Sequence, residues 1–380
     1  MKYYIIAGEA SGDLHGSNLI KELVKLDEAA DIKCWGGEKM EAAGAKLIKH
    51  YSELAFMGFV EVIKNLGIIF RNLAFCKKDI AAYKPDILVL IDYPGFNLRI
   101  AEWAKRNGYK VIYYISPQVW AWKESRVKSI KKNVDRMLVI LPFEKEFYKK
   151  WHYEVDYVGH PLVQVIDEFI AGELTKNETE PIPASQNKNP LIALLPGSRQ
   201  QEILKKLPVM LAATKHFPQY HFVVAKAPGI QDDFYDTLLE PYQNVSAVID
   251  KTYPLLLIAT AALVTSGTAT LETALFNVPE VVCYKGDNIS FQIAKRLVKI
   301  KYICLVNLIM KKEVVKELIQ NDLTVENISN ELTKILTDKD NQAKLKEDYA
   351  ALKRMLSLGG NASMNAAKII YSSVVEKTAS

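Results

Sequence analysis

A chain of 380 residues is longer than one ordinary hydrophobic core accommodates, so two domains are expected. Its content of 49% hydrophobic and 24% charged residues excludes a disordered or fibrous chain. A formal charge of +5 is too small to argue for nucleic acid, although it would help the chain settle on an anionic membrane surface. Cys34, Cys76, Cys283 and Cys304 lack C-x-x-C spacing and lie mostly in apolar segments, which reads as buried free thiols. The chain opens on a strand-like run with no basic n-region, so no signal peptide is expected. The longest apolar stretch, residues 254–264, is well short of the ~20 needed to span a bilayer, and any membrane role is therefore expected to be peripheral.

Residues 3–7 predict a first strand, followed by Gly8-Glu9-Ala10-Ser11-Gly12-Asp13-Leu14-His15-Gly16 and a helix with apolar positions at Leu19, Leu23 and Leu26. That grammar begins a doubly wound α/β domain. The glycine spacing is not G-x-G-x-x-G, so no dinucleotide fingerprint is read here. Asp13 and His15 are acid–base candidates, with loop capping as the competing role. Residues 32–35 predict a second strand. Residues 56–75, from Phe56 to Phe75, are apolar over much of a helical circumference and flanked by Lys64, Arg71, Lys77 and Lys78. They read either as a core helix or as one that dips into lipid.

Residues 85–92 form an apolar strand that ends on Asp92, ahead of Tyr93-Pro94-Gly95-Phe96-Asn97. Ligands collect at the carboxyl ends of strands in open α/β sheets, so Asp92 is the first candidate base, with an Asx turn before Pro94 as the alternative. A strand at 111–115 leads into Ser116-Pro117-Gln118-Val119-Trp120-Ala121-Trp122, a basic helix at 126–132 and a strand at 137–143. His160, before Pro161, reads as structural. From 166 to 190 the composition shifts to Glu, Asn, Thr, Lys and Pro, the signature of a linker.

Leu191-Ile192-Ala193-Leu194-Leu195 is a buried-strand pattern closed by Pro196-Gly197-Ser198-Arg199, and helical spacing resumes at Ile203, Leu207 and Leu211. A glycine turn between strand and helix makes a phosphate cradle, because the first N–H groups of a helix are unpaired and carry partial positive charge. Ser198 adds a hydroxyl, and Arg199 a guanidinium fork suited to a diphosphate. A second apolar run, 259–264, ends in Thr265-Ser266-Gly267-Thr268-Ala269-Thr270-Leu271-Glu272. This reads either as an N-cap with a capping-box Glu or as a second ligand loop, with Glu272 for ribose hydroxyls. Further strands are expected at 222–225, 246–248 and 281–284; residues 303–309 and 317–320 interleave polar and apolar groups, and helices follow Leu323. Asp338-Lys339-Asp340 lies in a polar helical run and is read as a solvated face rather than a metal site.

Six motifs in order, GEASGD at 8–13, IDYPGFN at 91–97, SPQVWAW at 116–122, LPGSR at 195–199, SGTATLE at 266–272 and Asn307, resemble the lipid-A-disaccharide synthase family of glycosyltransferases over nearly the whole chain. The resemblance implies the GT-B fold, α/β with two Rossmann-like domains facing a cleft. The N-terminal acceptor and lipid domain would be 1–165, the linker 166–190, the UDP-sugar domain 191–345, and the helices of 346–380 would pack back on the first domain. It implies an inverting enzyme that condenses UDP-2,3-diacylglucosamine with 2,3-diacylglucosamine 1-phosphate into a β-1,6-linked disaccharide and UDP, with no cofactor and no metal, peripheral on the cytoplasmic face of the inner membrane. Asp92, Ser11 and Arg199 are carried over as catalytic. Asn307 and Gln320 are carried over as site residues too, and with Gly197, Ser198, Arg199, Ser266, Gly267, Thr268, Thr270 and Glu272 of the two loops they are expected to bind the nucleotide. Residues 56–75 become the membrane contact; nucleic acid is not expected, and oligomeric state stays open. Lys316 stands where the family usually has Pro, which bears on Glu317 and Gln320. The alternatives are a non-catalytic nucleotide-sugar-binding protein and a sugar-nucleotide epimerase of the same fold; a serine hydrolase is disfavoured by the lack of a G-x-S-x-G elbow.

Overall fold

The computed structural model describes residues 1–54, 66–122, 124–175, 189–287 and 301–378. They divide into two compact units, Met1–Pro161 with Leu356–Ser380, and Leu162–Met355.

The first unit is built on a parallel sheet of β1 (Lys2–Ala7), β2 (Asp31–Gly36), β3 (Lys46–His50), β4 (Ile87–Ile91), β5 (Val111–Tyr114), β6 (Arg136–Val139) and β7 (Asp156–Tyr157), in the order β3-β2-β1-β4-β5-β6-β7. The strands read as continuous apolar runs because both faces are covered. Alternate residues go to opposite faces. Tyr3, Ile5 and Ala7 share a core with Val89 and Ile91, whereas Tyr4 and Ile6 share the other with Leu88 and Leu90. The helix Ala10–Leu26 covers the first face with Leu19, Ile20 and Leu23. It is joined there by the last helix, Ala362–Thr378, through Ala362, Ala366, Ala367 and Ile370. The strand order reverses between β1 and β4, and that topological switch point is where doubly wound sheets open a ligand crevice.

The second unit repeats the plan with β8 (Leu191–Leu195), β9 (His221–Lys226), β10 (Val245–Ile249), β11 (Ala261–Thr265), β12 (Glu280–Tyr284) and β13 (Lys316–Ile319), all parallel, in the order β10-β9-β8-β11-β12-β13. Its switch point lies between β8 and β11. Those are the two strands that lead into the LPGSR and SGTATLE loops.

Several expectations need correction. Residues 166–175 are not linker but continue the helix Pro161–Thr175, whereas 176–188 lie outside the described residues. The expected boundary at 345 falls inside the helix Lys339–Ser357, and the chain passes back to the first unit only at Leu356. The crossing thus falls in the last turn of this helix, where its final residues pass to the other core. The strand expected at 137–143 ends at Val139. Edge strand β3 escapes the pattern because its residues are only half-buried and its alternation is diluted by Lys46, Lys49 and His50. Residues 305–310 form a short helix. Lys316 opens β13, whose pairing with β12 is regular from Val281↔Lys316 to Tyr284↔Ile319. As β13 is an edge strand, either Pro or Lys is tolerated at its first position, and the segment keeps its register.

The four cysteines are buried free thiols. Of the proposed membrane segment, 56–65 lie outside the described residues, and the rest begins the helix Leu66–Tyr83. That helix buries Leu73, Cys76 and Ile80 in the core while leaving Phe70 and Phe75 exposed. Among the described residues no helix is long and apolar enough to cross a membrane.

Candidate active site

In the first unit, the β4 strand delivers Asp92 to the switch point beside the loop that follows β1. Asp92 and Tyr93 both take left-handed backbone angles, with φ of 43° and 48°. Two such residues in succession are strained, Tyr more than Asp. The neighbourhood holds them: Asn97 Nδ2 donates to the carbonyls of Ile91 (3.1 Å) and Asp92 (2.8 Å), Tyr113 Oη also donates to the Asp92 carbonyl, and Tyr93 Oη donates to Leu54 O at 2.9 Å. The Tyr93 ring lies flat over Gly8, where a Cβ would come within 2.3 Å of the ring. Gly8 therefore serves close approach. Burial raises the pKa of the Asp92 carboxyl to about 7, with the nearby Glu9 carboxylate adding to the shift.

Ser11 is exposed in the first turn of the helix Ala10–Leu26. Asp13 resolves to the capping role: its Oδ1 accepts from the N–H groups of Gly37 (2.7 Å) and Met40 (3.1 Å), and its Oδ2 from Lys39 (3.2 Å), anchoring the short helix Glu38–Ala42. His15 is 7% exposed, and burial pushes its pKa down to about 4. His160 is buried beside it and pushed down to about 3, by burial first and His15 second. Both imidazoles are thus enclosed and held neutral, whereas the Asp92 carboxyl is raised to about 7.

In the second unit, the two cradle loops line one cavity of about 430 Å³ that gathers Gly197, Ser198, Arg199, Ser266, Gly267, Thr268 and Glu272, together with Glu202, Lys226 and Thr252. Gly197 has φ 121°, open to glycine and strained for other residues, and this turns the chain from β8 into the helix Gln200–Thr214. Arg199 is its N-cap residue, half exposed, with Nη1 donating to Glu202 Oε1 at 3.2 Å. Gly267 occupies the same place ahead of the helix Thr268–Leu275. Two helix N-termini thus face one hollow, an arrangement that favours an anion. Glu272 accepts from Tyr253 Oη at 2.8 Å, and burial raises its pKa while that bond opposes the rise. A larger hollow of 910 Å³ in the first unit, lined by Asp135, Arg136, Lys145, Glu146, Lys149 and Asp156 among others, lies at the amino ends of β6 and β7, on the edge where ligands do not collect.

Three expected ligand residues do not open onto this cavity. Thr270 is fully buried, and its hydroxyl donates to Gly267 O at 2.9 Å, which shapes the loop. Asn307 is also fully buried, and its amide is spent: Nδ2 donates to Val315 O and Glu317 Oε1, both at 2.8 Å, and Oδ1 accepts from Val314 and Val315 N–H. Glu317 in turn accepts from the N–H groups of Ile303 and Cys304, while the Ile303 carbonyl accepts from Ser266 Oγ at 3.2 Å. Asn307 thus reaches the cradle as a bracket under Ser266. Asn307→Ala should cost about 2 kcal/mol by leaving these partners unpaired, and should lower the urea midpoint accordingly; an unchanged midpoint would show the bracket to be dispensable. Gln320 sits at the carboxyl end of β13 with φ 55°; its Oε1 accepts from Gly286 N–H at 2.9 Å, and its buried Nε2 has no partner among the described residues.

Glu9, Tyr253 and Lys206 escaped the sequence reading. Glu9 lay inside the first motif but was passed over for Ser11 and Asp13. Lys206 stood four residues from Glu202, a spacing that places both on one helix face. Tyr253 had no local signal. Among the described residues, no group of three His, Cys, Asp or Glu side chains is gathered as a metal site requires.

Solved structures of low identity share the fold. A UDP-GlcNAc 2-epimerase from Neisseria meningitidis, solved bound to UDP-GlcNAc, superposes with a TM-score of 0.69 at 13% identity, covering 99% of this chain and 100% of that one. The glycotransferase of kitacinnamycin superposes at 0.67 with 15% identity, covering 98% and 99%. At such identities the likeness speaks for the GT-B fold alone, shared by epimerases and transferases. Sequence separates them. The family model described as lipid-A-disaccharide synthetase matches residues 3–373. The lipid-A-disaccharide synthase of Geobacter metallireducens is 39% identical over 361 residues, covering 94% of this chain and 93% of that protein. That of Coxiella burnetii is 36% identical over 371 residues, covering 97% of each. A match of that extent sets aside the epimerase and the purely binding alternatives: the chain belongs to the lipid-A-disaccharide synthase family, enzymes that condense lipid A precursors.

Proposed function

We propose that the condensation runs as a single inverting displacement between UDP-2,3-diacylglucosamine and 2,3-diacylglucosamine 1-phosphate. The acceptor 6-hydroxyl oxygen attacks the anomeric carbon of the donor sugar, its proton passes to the Asp92 carboxylate, and the bond from that carbon to the diphosphate breaks to release UDP. Negative charge grows on the departing diphosphate. Arg199 and the N–H groups at the starts of Gln200–Thr214 and Thr268–Leu275 are arranged to stabilise it, a role taken here by fixed protein charges and dipoles rather than a resident metal. Glu272 accepts from the ribose hydroxyls.

The observation that carries this reading is the convergence of two loops, distant in sequence, on the switch point of the second sheet, where they enclose one cavity with both an arginine and a buried carboxylate. The test is direct: incubation with UDP-2,3-diacylglucosamine and the acylated monosaccharide phosphate should yield a disaccharide 1-phosphate and UDP by mass spectrometry. UDP bound tightly without any product would sink it.

The acylated substrates call for a membrane contact, and the exposed Phe70 and Phe75 on the helix Leu66–Tyr83 supply an apolar surface beside Arg71, Lys77 and Lys78. Phe70→Glu should reduce co-sedimentation with anionic vesicles by about fivefold or more without changing the melting temperature, because Phe70 is 63% exposed and carries little of the core. Full retention on vesicles would show that this face meets something else.

A further inference from the structure

The helix Gln200–Thr214 buries Ile203, Leu207, Met210 and Leu211, the apolar stripe that its spacing predicts. Lys206 interrupts that stripe. Its side chain is 3% exposed, on the face where a methionine would serve packing equally well. Taking an ammonium out of water costs several kcal/mol unless its partners compensate, and a local rule broken in a core is expected where function requires it.

The partners of Lys206 are few. Nζ donates to Thr265 Oγ1 at the end of β11, and it lies 3.7 Å from Glu202 Oε2. Glu202 is shared, since its other oxygen accepts from Arg199. Two cations therefore divide one carboxylate, and burial lowers the Lys206 pKa more than Glu202 restores it. Lys226, which also lines the cavity, is engaged by Asp232 at 2.7 Å. Lys206 sits directly under the phosphate turn: a Cβ built on Gly197 would stand 3.5 Å from Nζ. The ammonium thus touches the supports of both cradle loops, Glu202 behind LPGSR and Thr265 ahead of SGTATLE, without opening onto the cavity itself.

We propose that Lys206 is a positioning residue for the diphosphate: a fixed, buried cation that braces the two loops against each other and supplies the positive potential left uncompensated by Glu202 at the place where the diphosphate binds. The proposal rests on the nucleotide reading above and deepens it. It explains why a charge is kept where an apolar residue would fit, because an interior cation near ε ≈ 20 acts over several ångströms with little screening.

The experiment compares UDP with uridine, measured by titration calorimetry on the whole chain. Wild type should prefer UDP strongly. In Lys206→Met, UDP affinity should fall by about tenfold or more while uridine affinity stays within about twofold, because only the diphosphate feels the missing charge. Equal losses for both ligands would mean that Lys206 merely props up the loops, and an unchanged UDP-to-uridine ratio would mean that it does nothing for the diphosphate; either result overturns the inference. Should Lys206→Met fail to show a cooperative melt, Thr265→Val decides. It removes the hydroxyl that holds Nζ while keeping the shape, and should lower UDP affinity by about threefold or more with uridine unchanged; no change in the ratio overturns the inference. If wild type itself shows no preference for UDP, the nucleotide reading fails with it, which is a distinct outcome.

Discussion

Asp92→Asn should lower kcat by about 10²–10⁴-fold while leaving UDP affinity within about twofold, the loss typical of removing a general base. The carboxyl works as a base only when ionised. Its pKa near 7 therefore places an acid limb in the pH–rate profile, with activity falling as the pH drops below about 7. Burial is the larger cause of the shift and Glu9 the next. Glu9→Gln should accordingly move the limb to lower pH without bringing it down to the ordinary carboxylate range. The stability consequence has the opposite sign from the usual salt-bridged Asp. Because the folded pKa lies above the ordinary 3.8, the native state holds the proton more tightly, and stability is lost as the pH rises towards and through about 7. At pH 8 the ionised Asp92 opposes folding, so Asp92→Asn should melt roughly 2–4 °C higher than wild type. A slow enzyme that is also more stable is the signature of a functional strain. A variant that kept full turnover would remove Asp92 from the role, and one that melted lower would show that the carboxylate is structural.

Arg199→Met should reduce kcat by about 10²–10³-fold, on the scale of deleting one group that stabilises charge in the transition state, and should weaken UDP binding as well. Arg199 is half exposed and paired with Glu202 at 3.2 Å, a contact of little worth at the surface, so the melting temperature should barely change. Loss of activity without loss of stability separates Arg199 from the Asn307 bracket, whose removal should lower stability. Arg199→Lys should recover only part of the rate, because an ammonium cannot offer the planar fork that a diphosphate accepts. Steady-state kinetics together with UDP titration decide the matter. Unaltered kcat in Arg199→Met would leave the leaving-group charge to the helix N-termini alone.

The core strands, the glycine turns and the helices that follow them were legible because each is a local pattern: an apolar run of strand length, then Gly197 or Gly267, then helical spacing. The parts that were not legible depend on partners remote in sequence. Asp13 looked like an acid–base group until Gly37, Lys39 and Met40 claimed its oxygens. Asn307 looked like a ligand until Val314, Val315 and Glu317 claimed its amide. Residues 166–175 had linker composition, yet they are helical, with Phe169 of this stretch packed against Tyr253 and Phe276.

By itself, then, the amino-acid order determined two doubly wound halves, the strand end that carries Asp92 and the two glycine loops between strand and helix, since hydrophobic period and turn chemistry act over a few neighbours. Only the tertiary structure decided which polar groups remain available to a substrate. Whether a side chain's hydrogen bonds are claimed depends on residues many positions away: Gly37 for Asp13, Tyr253 for Glu272, Thr265 for Lys206.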